Sequence, residues 1–60
     1  MEPTPAQLRS LYAQSYALTN LMFLPIQIVR LDERTGNLFI LAGQDLELEI
    51  APDGLLEIDT

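Results

Sequence analysis

Carboxylates are the one plentiful reactive group in this chain. Nine are present, and five of them recur at the spacing of an extended strand: Asp45, Glu47 and Glu49, then Glu57 and Asp59. A two-residue repeat sets such side chains on one face roughly 7 Å apart in a line, which fans their oxygens out instead of converging them on an ion. No metal site is expected from them. Paired carboxylates can hydrolyse glycosides, but only across a cleft, and 60 residues are too few to build one. Nothing else in the sequence completes an active site. There is no His, Cys or Lys, and the three glycines are scattered. Ser10, Ser15 and the threonines have no base to activate them. The expectation is a chain that is not an enzyme, needs no cofactor and acts by binding. The acidic face is then either a solvated surface that keeps a small sheet soluble or a docking surface for a basic partner.

Composition narrows the partners. The net charge is −6, with Arg9, Arg30 and Arg34 as the basic residues. Such a chain repels nucleic-acid phosphates and anionic membrane surfaces alike, so direct nucleic-acid or membrane binding is not expected. The longest apolar run, from Leu21 to Val29, is broken by Pro25 and Gln27 and falls far short of the roughly 20 residues that span a bilayer. The start Met1-Glu2-Pro3-Thr4-Pro5 lacks a basic region and does not read as a secretory signal, which leaves a cytoplasmic protein as the expectation. A chain of this size buries only about 60% of its unfolded surface, and no disulfide supports it. Its hydrophobic content of 48% nevertheless suits one folded domain over residues 1–60.

The elements that must carry these residues can be read along the chain. Thr4, Pro5 and Gln7 stand where an N-cap, a first helical residue and a capping box belong. Leu8, Leu11, Tyr12, Ser15, Leu18, Thr19 and Met22 follow helical spacing along one stripe. Asn20 could close the helix in a left-handed conformation, and Pro25 stops it by about residue 23. Tyr12 and Tyr16, one turn apart, read as core packing with their hydroxyls at the wet rim, or as a stacking platform. Strands follow at Ile26–Leu31, Asn37–Ala42, Asp45–Ala51 and Leu55–Asp59. Their turns are Asp32–Gly36, a two-residue Gly43-Gln44 loop, and Pro52-Asp53-Gly54 closed by a glycine bulge. The predicted fold is α+β, one N-terminal helix packed on one face of a four-stranded antiparallel meander.

These loop lengths imply a register. Leu31 pairs with Phe39 and Val29 with Leu41; Leu41 pairs with Leu46 and Phe39 with Leu48; Leu48 pairs with Ile58 and Ile50 with Leu56. Val29, Leu31, Phe39, Leu41, Leu46, Leu48, Ile50, Leu56 and Ile58 then share the face beneath the helix. The back face divides in two. Ile26, Ile28, Leu38 and Ile40 form an aliphatic patch on the first hairpin, while Asp45, Glu47, Glu49, Glu57 and Asp59 form an acidic ladder on the second. An apolar patch on an open sheet face is the anomaly, and it marks the expected protein interface, the alternatives being cover by residues 1–4 or the 23–25 crossover, or simple exposure.

The segments Leu18-Thr19-Asn20-Leu21, Pro25 to Asp32 and Arg34-Thr35-Gly36-Asn37-Leu38-Phe39-Ile40-Leu41-Ala42-Gly43 resemble a family of short cyanobacterial proteins of unknown function. The resemblance covers nearly the whole chain, and the Arg-Thr-Gly-Asn segment is its most specific part. The chain departs from that pattern at Pro52-Asp53-Gly54, where Pro-Asn-Gly would stand, and at Glu57-Ile58-Asp59-Thr60, which replaces an aromatic end. The resemblance implies no activity; it implies a bacterial cytoplasmic setting and a small two-protein module of the toxin–antitoxin kind. The functional expectation is a non-enzymatic interaction module, homodimeric or bound to a small partner protein through the back of the first hairpin. The alternative is an acidic inhibitor or antitoxin-like protein that occupies a basic protein site by charge mimicry.

Overall fold

Thr4 starts the helix as its type and position require. Its Oγ1 accepts a hydrogen bond from the Gln7 amide (3.0 Å), and its own amide donates to Gln7 Oε1 (2.9 Å), which closes the capping box. In this computed structural model, which describes residues 2–59, helix α1 runs from Pro5–Tyr16 and continues into a π-helical turn over Ala17–Leu21. Asn20 lies inside that turn and does not end it. The left-handed residue is Phe23, with φ 57°, and the Leu24 amide reaches back to the Leu18 carbonyl at 2.8 Å. The wider π turn carries the left-handed position from Asn20 to Phe23, while the helix still ends by residue 23 as Pro25 requires.

Four strands follow: β1 Ile26–Leu31, β2 Leu38–Ala42, β3 Leu46–Ile50 and β4 Leu56–Ile58. They form one antiparallel sheet in the order β1-β2-β3-β4, so the expected α+β meander is the fold observed. The last hairpin has the expected register, with Leu48 opposite Ile58 and Ile50 opposite Leu56. Gly54 sits at φ 91°, and a Cβ there would come within 3.1 Å of the Ala6 carbonyl oxygen, so the turn needs glycine for its backbone and for the helix above it.

The first two hairpins depart from the expected register by one residue each. Asp32 pairs with Asn37 through an amide-to-carbonyl bond of 2.9 Å, and the Asp32 carbonyl accepts the Gly36 amide at 2.7 Å. The loop therefore holds the four residues 33–36, one more than pairing Leu31 with Phe39 would leave. The β1–β2 ladder continues to Gly43, whose amide donates to the Pro25 carbonyl at 2.8 Å, and in the second hairpin Ala42 faces Leu46 across a three-residue turn. The two shifts cancel for β1, β3 and β4 and turn β2 over. Leu38, Ile40 and Ala42 point to the helix, and Phe39 and Leu41 point away.

A bulge at Gln27 completes the correction. It lies between Ile26, opposite Ala42, and Ile28, opposite Leu41, so the two isoleucines take opposite faces. The core is Leu18, Leu38, Ile40, Ala42, Leu48 and Ile50, with Leu11, Leu24, Ile26, Leu31, Leu46 and Leu56 packed around it. One helix about 10 Å wide covers the two middle strands. Val29 and Ile58, on the same face at the two sheet edges, stay largely exposed.

Gln7 ties these layers together. It is 1% exposed, and its Nε2 donates to the Gly36 carbonyl (2.7 Å) and the Ile50 carbonyl (3.0 Å) while Oε1 serves the cap. Thr4 adds a bond from its hydroxyl to the Pro52 carbonyl at 2.6 Å. The helix N-terminus is thus fastened to the first turn, to the end of β3 and to the last turn.

Candidate functional site

The expected aliphatic patch does not exist as one surface. Leu38 is 2% exposed and Ile40 is fully buried, Ile26 packs against the core, and of the four only Ile28 stands open on the back of the sheet. The reason is the inversion of β2 together with the Gln27 bulge. The back face instead presents two rows that cross all four strands. One row runs Arg30, Phe39, Glu49, Glu57; the other runs Ile28, Leu41, Glu47, Asp59.

In the first row the Arg30 guanidinium lies 5.4 Å from the Phe39 ring centroid, a cation–π contact that covers the ring and leaves it half-buried. The acidic ladder is observed where it was expected on β3 and β4, with Glu49 opposite Glu57 and Glu47 opposite Asp59, while Asp45 sits in the turn before β3. Asn37 Nδ2 donates to Glu49 Oε1 at 3.2 Å. Glu49 is nevertheless held above its ordinary range. The main cause is the Asp59 carboxyl, diagonally across the pair, with which Glu49 can share a hydrogen bond when it is protonated; the Asn37 amide opposes this, and burial and the charges of Asp59 and Asp32 add to it. Among the described residues, no group of three or more acids is arranged to hold a metal ion.

At the mouth of the first hairpin, Asp32 Oδ1 accepts the Arg34 amide (2.9 Å), and its carboxylate pairs with the Arg34 guanidinium at 3.2 Å. The Arg34 hydrogen bonds lower the Asp32 pKa. A depression of about 310 Å³ here is lined by the contiguous residues Arg30, Leu31, Asp32, Glu33 and Arg34. No second element forms an opposing wall.

The two acids shift in opposite directions, so stability is expected to peak on acidification. Glu49, raised, contributes stability fully present below its ordinary value of 4.5 and lost as pH rises through its folded value. Asp32, lowered, contributes stability present above its ordinary value of 3.8 and lost as pH falls through its folded value. The melting temperature should rise as pH falls from 7 towards 4.5, then decline below 3.8. Asp59→Asn should flatten the upper limb and leave the lower one, as thermal melts followed by circular dichroism would show.

The helix carries the surface that sequence reasoning assigned to the core. Gln7, Leu11 and Leu18 face the sheet. Leu8, Tyr12 and Tyr16, spaced four apart, face solvent at 51%, 74% and 54% exposure. Tyr12 and Tyr16 are therefore not core packing. Leu21, Met22 and Phe23 extend the apolar surface past the π turn, and Phe23 is 82% exposed. The available signal was the presence of two apolar stripes on one helix, of which a single sheet face can bury one. The charge pattern sharpens the contrast. Eight of the nine carboxylates lie at or after Asp32, and between Glu2 and Arg30 the charged side chain is Arg9.

A sequence-family model described as a domain of unknown function, DUF6888, matches residues 2–57, which takes in the helix, β1 to β3 and most of β4. The chain belongs to the DUF6888 family. No curated protein and no solved structure matches it. Two faces are available: the mixed, acid-edged back of the sheet and the aromatic back of the helix, which carries no carboxylate and one charged side chain, Arg9. Among the described residues, no helix is long and apolar enough to cross a membrane.

Proposed function

We propose that this DUF6888 chain is a non-enzymatic protein-interaction module whose docking face is the outward side of its helix, centred on Tyr12, Tyr16 and Phe23. Phe23 carries the reading. A non-glycine residue in the left-handed region costs about 1–2 kcal/mol, and Phe23 adopts it with its ring in solvent. The ring contributes little packing to offset that strain, whereas a bound partner would cover it. The resemblance carried by Arg34-Thr35-Gly36-Asn37 supports a cyanobacterial, cytoplasmic setting.

The test uses one substitution and one probe. Phe23→Gly removes the strain and loses backbone entropy worth roughly 0.5–1 kcal/mol, so the domain should be as stable or slightly more so, by up to about 1.5 kcal/mol. A photo-crosslinking amino acid at Tyr12 should form a covalent protein adduct in cells, one at Gln44 should not, and Phe23→Gly should reduce the Tyr12 adduct. No adduct from Tyr12, or equal adducts from Tyr12 and Gln44, would overturn the reading.

A second reading has its own support. The carboxylates of β3 and β4 crowd one another enough to raise Glu49, and a cationic protein surface would relieve that crowding. An inhibitor acting by charge mimicry would bind in a strongly salt-dependent way, and helix docking would not.

A further inference from the structure

We infer that the occupant of the helix face is a second copy of this chain, docked helix against helix in an antiparallel, two-fold arrangement. This rests on the reading of that face as an interaction surface. The first support is area. Tyr12, Tyr16 and Phe23 at their observed exposures offer about 400 Å² of aromatic surface, taking 150–250 Å² for each whole side chain. Leu8, Leu21 and Met22, each at least half exposed, bring the total to roughly 700 Å² per copy, against about 800 Å² per partner in an ordinary stable interface. The largest apolar patch on a typical monomer is about 300–600 Å².

The second support is charge. A chain of net charge −6 is repelled by its own copies almost everywhere. Sheet-to-sheet contact would bring Glu47, Glu49, Glu57 and Asp59 against the same four residues. The helix face meets its copy without apposing carboxylates, because between Glu2 and Asp32 the chain has none. Arg9 then fixes the direction. Parallel helices would bring the two Arg9 side chains together, while antiparallel ones hold them at opposite ends and set the helix dipoles head to tail. The two-fold axis falls near Tyr12 and Tyr16, with the Leu8 end of one copy beside the Phe23 end of the other.

Sedimentation equilibrium from about 1 to 500 µM tests this on the wild type, Tyr16→Glu and Ile28→Glu, a range that brackets a micromolar Kd. Circular dichroism should show all three folded, since both positions are solvent-facing. The wild type should approach twice 6.7 kDa with a Kd of about 10 µM or tighter. Tyr16→Glu should weaken association by about 100-fold or more, and Ile28→Glu should leave it unchanged within about threefold. A wild type that remains monomeric throughout overturns the inference, as does a dimer broken by Ile28→Glu and insensitive to Tyr16→Glu. A monomeric wild type that still gives Tyr12 adducts to a different protein would sink self-association alone and leave the interaction module standing.

Discussion

Gln7→Glu is expected to leave the domain unfolded at neutral pH, whereas Gln7→Met leaves it folded but weakened. The difference lies in one nitrogen. Nε2 supplies donors to two backbone carbonyls, Gly36 and Ile50, at a site that is 1% exposed. A carboxylate has no donor, so Gln7→Glu sets a buried negative charge against two carbonyl oxygens. An uncompensated buried charge costs about 3–5 kcal/mol. At 0.05–0.15 kcal/mol per residue, 60 residues hold about 3–9 kcal/mol in all. The charge alone consumes most of that margin. Gln7→Met keeps the volume and strands the buried Ile50 acceptor, at roughly 1–3 kcal/mol, and the part-buried Gly36 carbonyl and Thr4 amide, at less each because water reaches them. Protonation returns one donor to the introduced carboxyl, whose folded pKa is raised. Its stability is therefore recovered on acidification and lost as pH rises. Urea titrations at pH 7 and near pH 4.5 would read both effects. Equal stability of Gln7→Glu and wild type at pH 7 would mean that the helix is not fastened through this side chain.

The capping box at Thr4 and Gln7 was visible in the sequence, but the use of Gln7 Nε2 was not. Glutamate would complete the same box, so local pattern does not explain why the amide is needed; two distant carbonyls do. The strands, their order and the last hairpin were also readable, because Pro52-Asp53-Gly54 admits few turns and β3 alternates acid with aliphatic. The register of β2 was not. Its five residues, Leu38 to Ala42, are all apolar, so turning the strand over leaves a hydrophobic face on either side. Each flanking loop is one residue longer than the expected register requires. Two opposite slips leave the agreement among β1, β3 and β4 intact, so that agreement does not decide which face of β2 is buried. The helix failed for a related reason: apolar residues lie on both of its sides, and periodicity does not say which stripe the sheet takes. The candidate interface moved with these two elements, from Ile26, Ile28, Leu38 and Ile40 on the sheet to the back of the helix.

The inversion of β2 can be tested with one residue type at two adjacent positions. Ile40→Lys should unfold the protein, and Leu41→Lys should leave it folded. Ile40 has no exposed surface and lies between Val29 and Leu48 under the helix. A lysine there loses the packing of an isoleucine, worth about 2–5 kcal/mol when truncated, and buries an ammonium without a partner at a further cost of several kcal/mol. The sum, about 5–10 kcal/mol, matches or exceeds the whole margin of about 3–9 kcal/mol. Leu41 is half-buried on the open face, directly across from Glu47. A lysine there keeps its stem on the sheet, reaches water with its head and gains a cross-strand ion pair of about 0.2–1 kcal/mol. It also relieves the crowding of a strongly acidic face. The register drawn from the shortest loops requires the reverse, since it places Ile40 outside and Leu41 beneath the helix. Dispersion of amide resonances in a two-dimensional NMR spectrum decides between them. A dispersed spectrum for Leu41→Lys with a collapsed one for Ile40→Lys supports the inverted strand; the opposite pair of spectra would return β2 to the shorter turns and reopen the first hairpin as the interface.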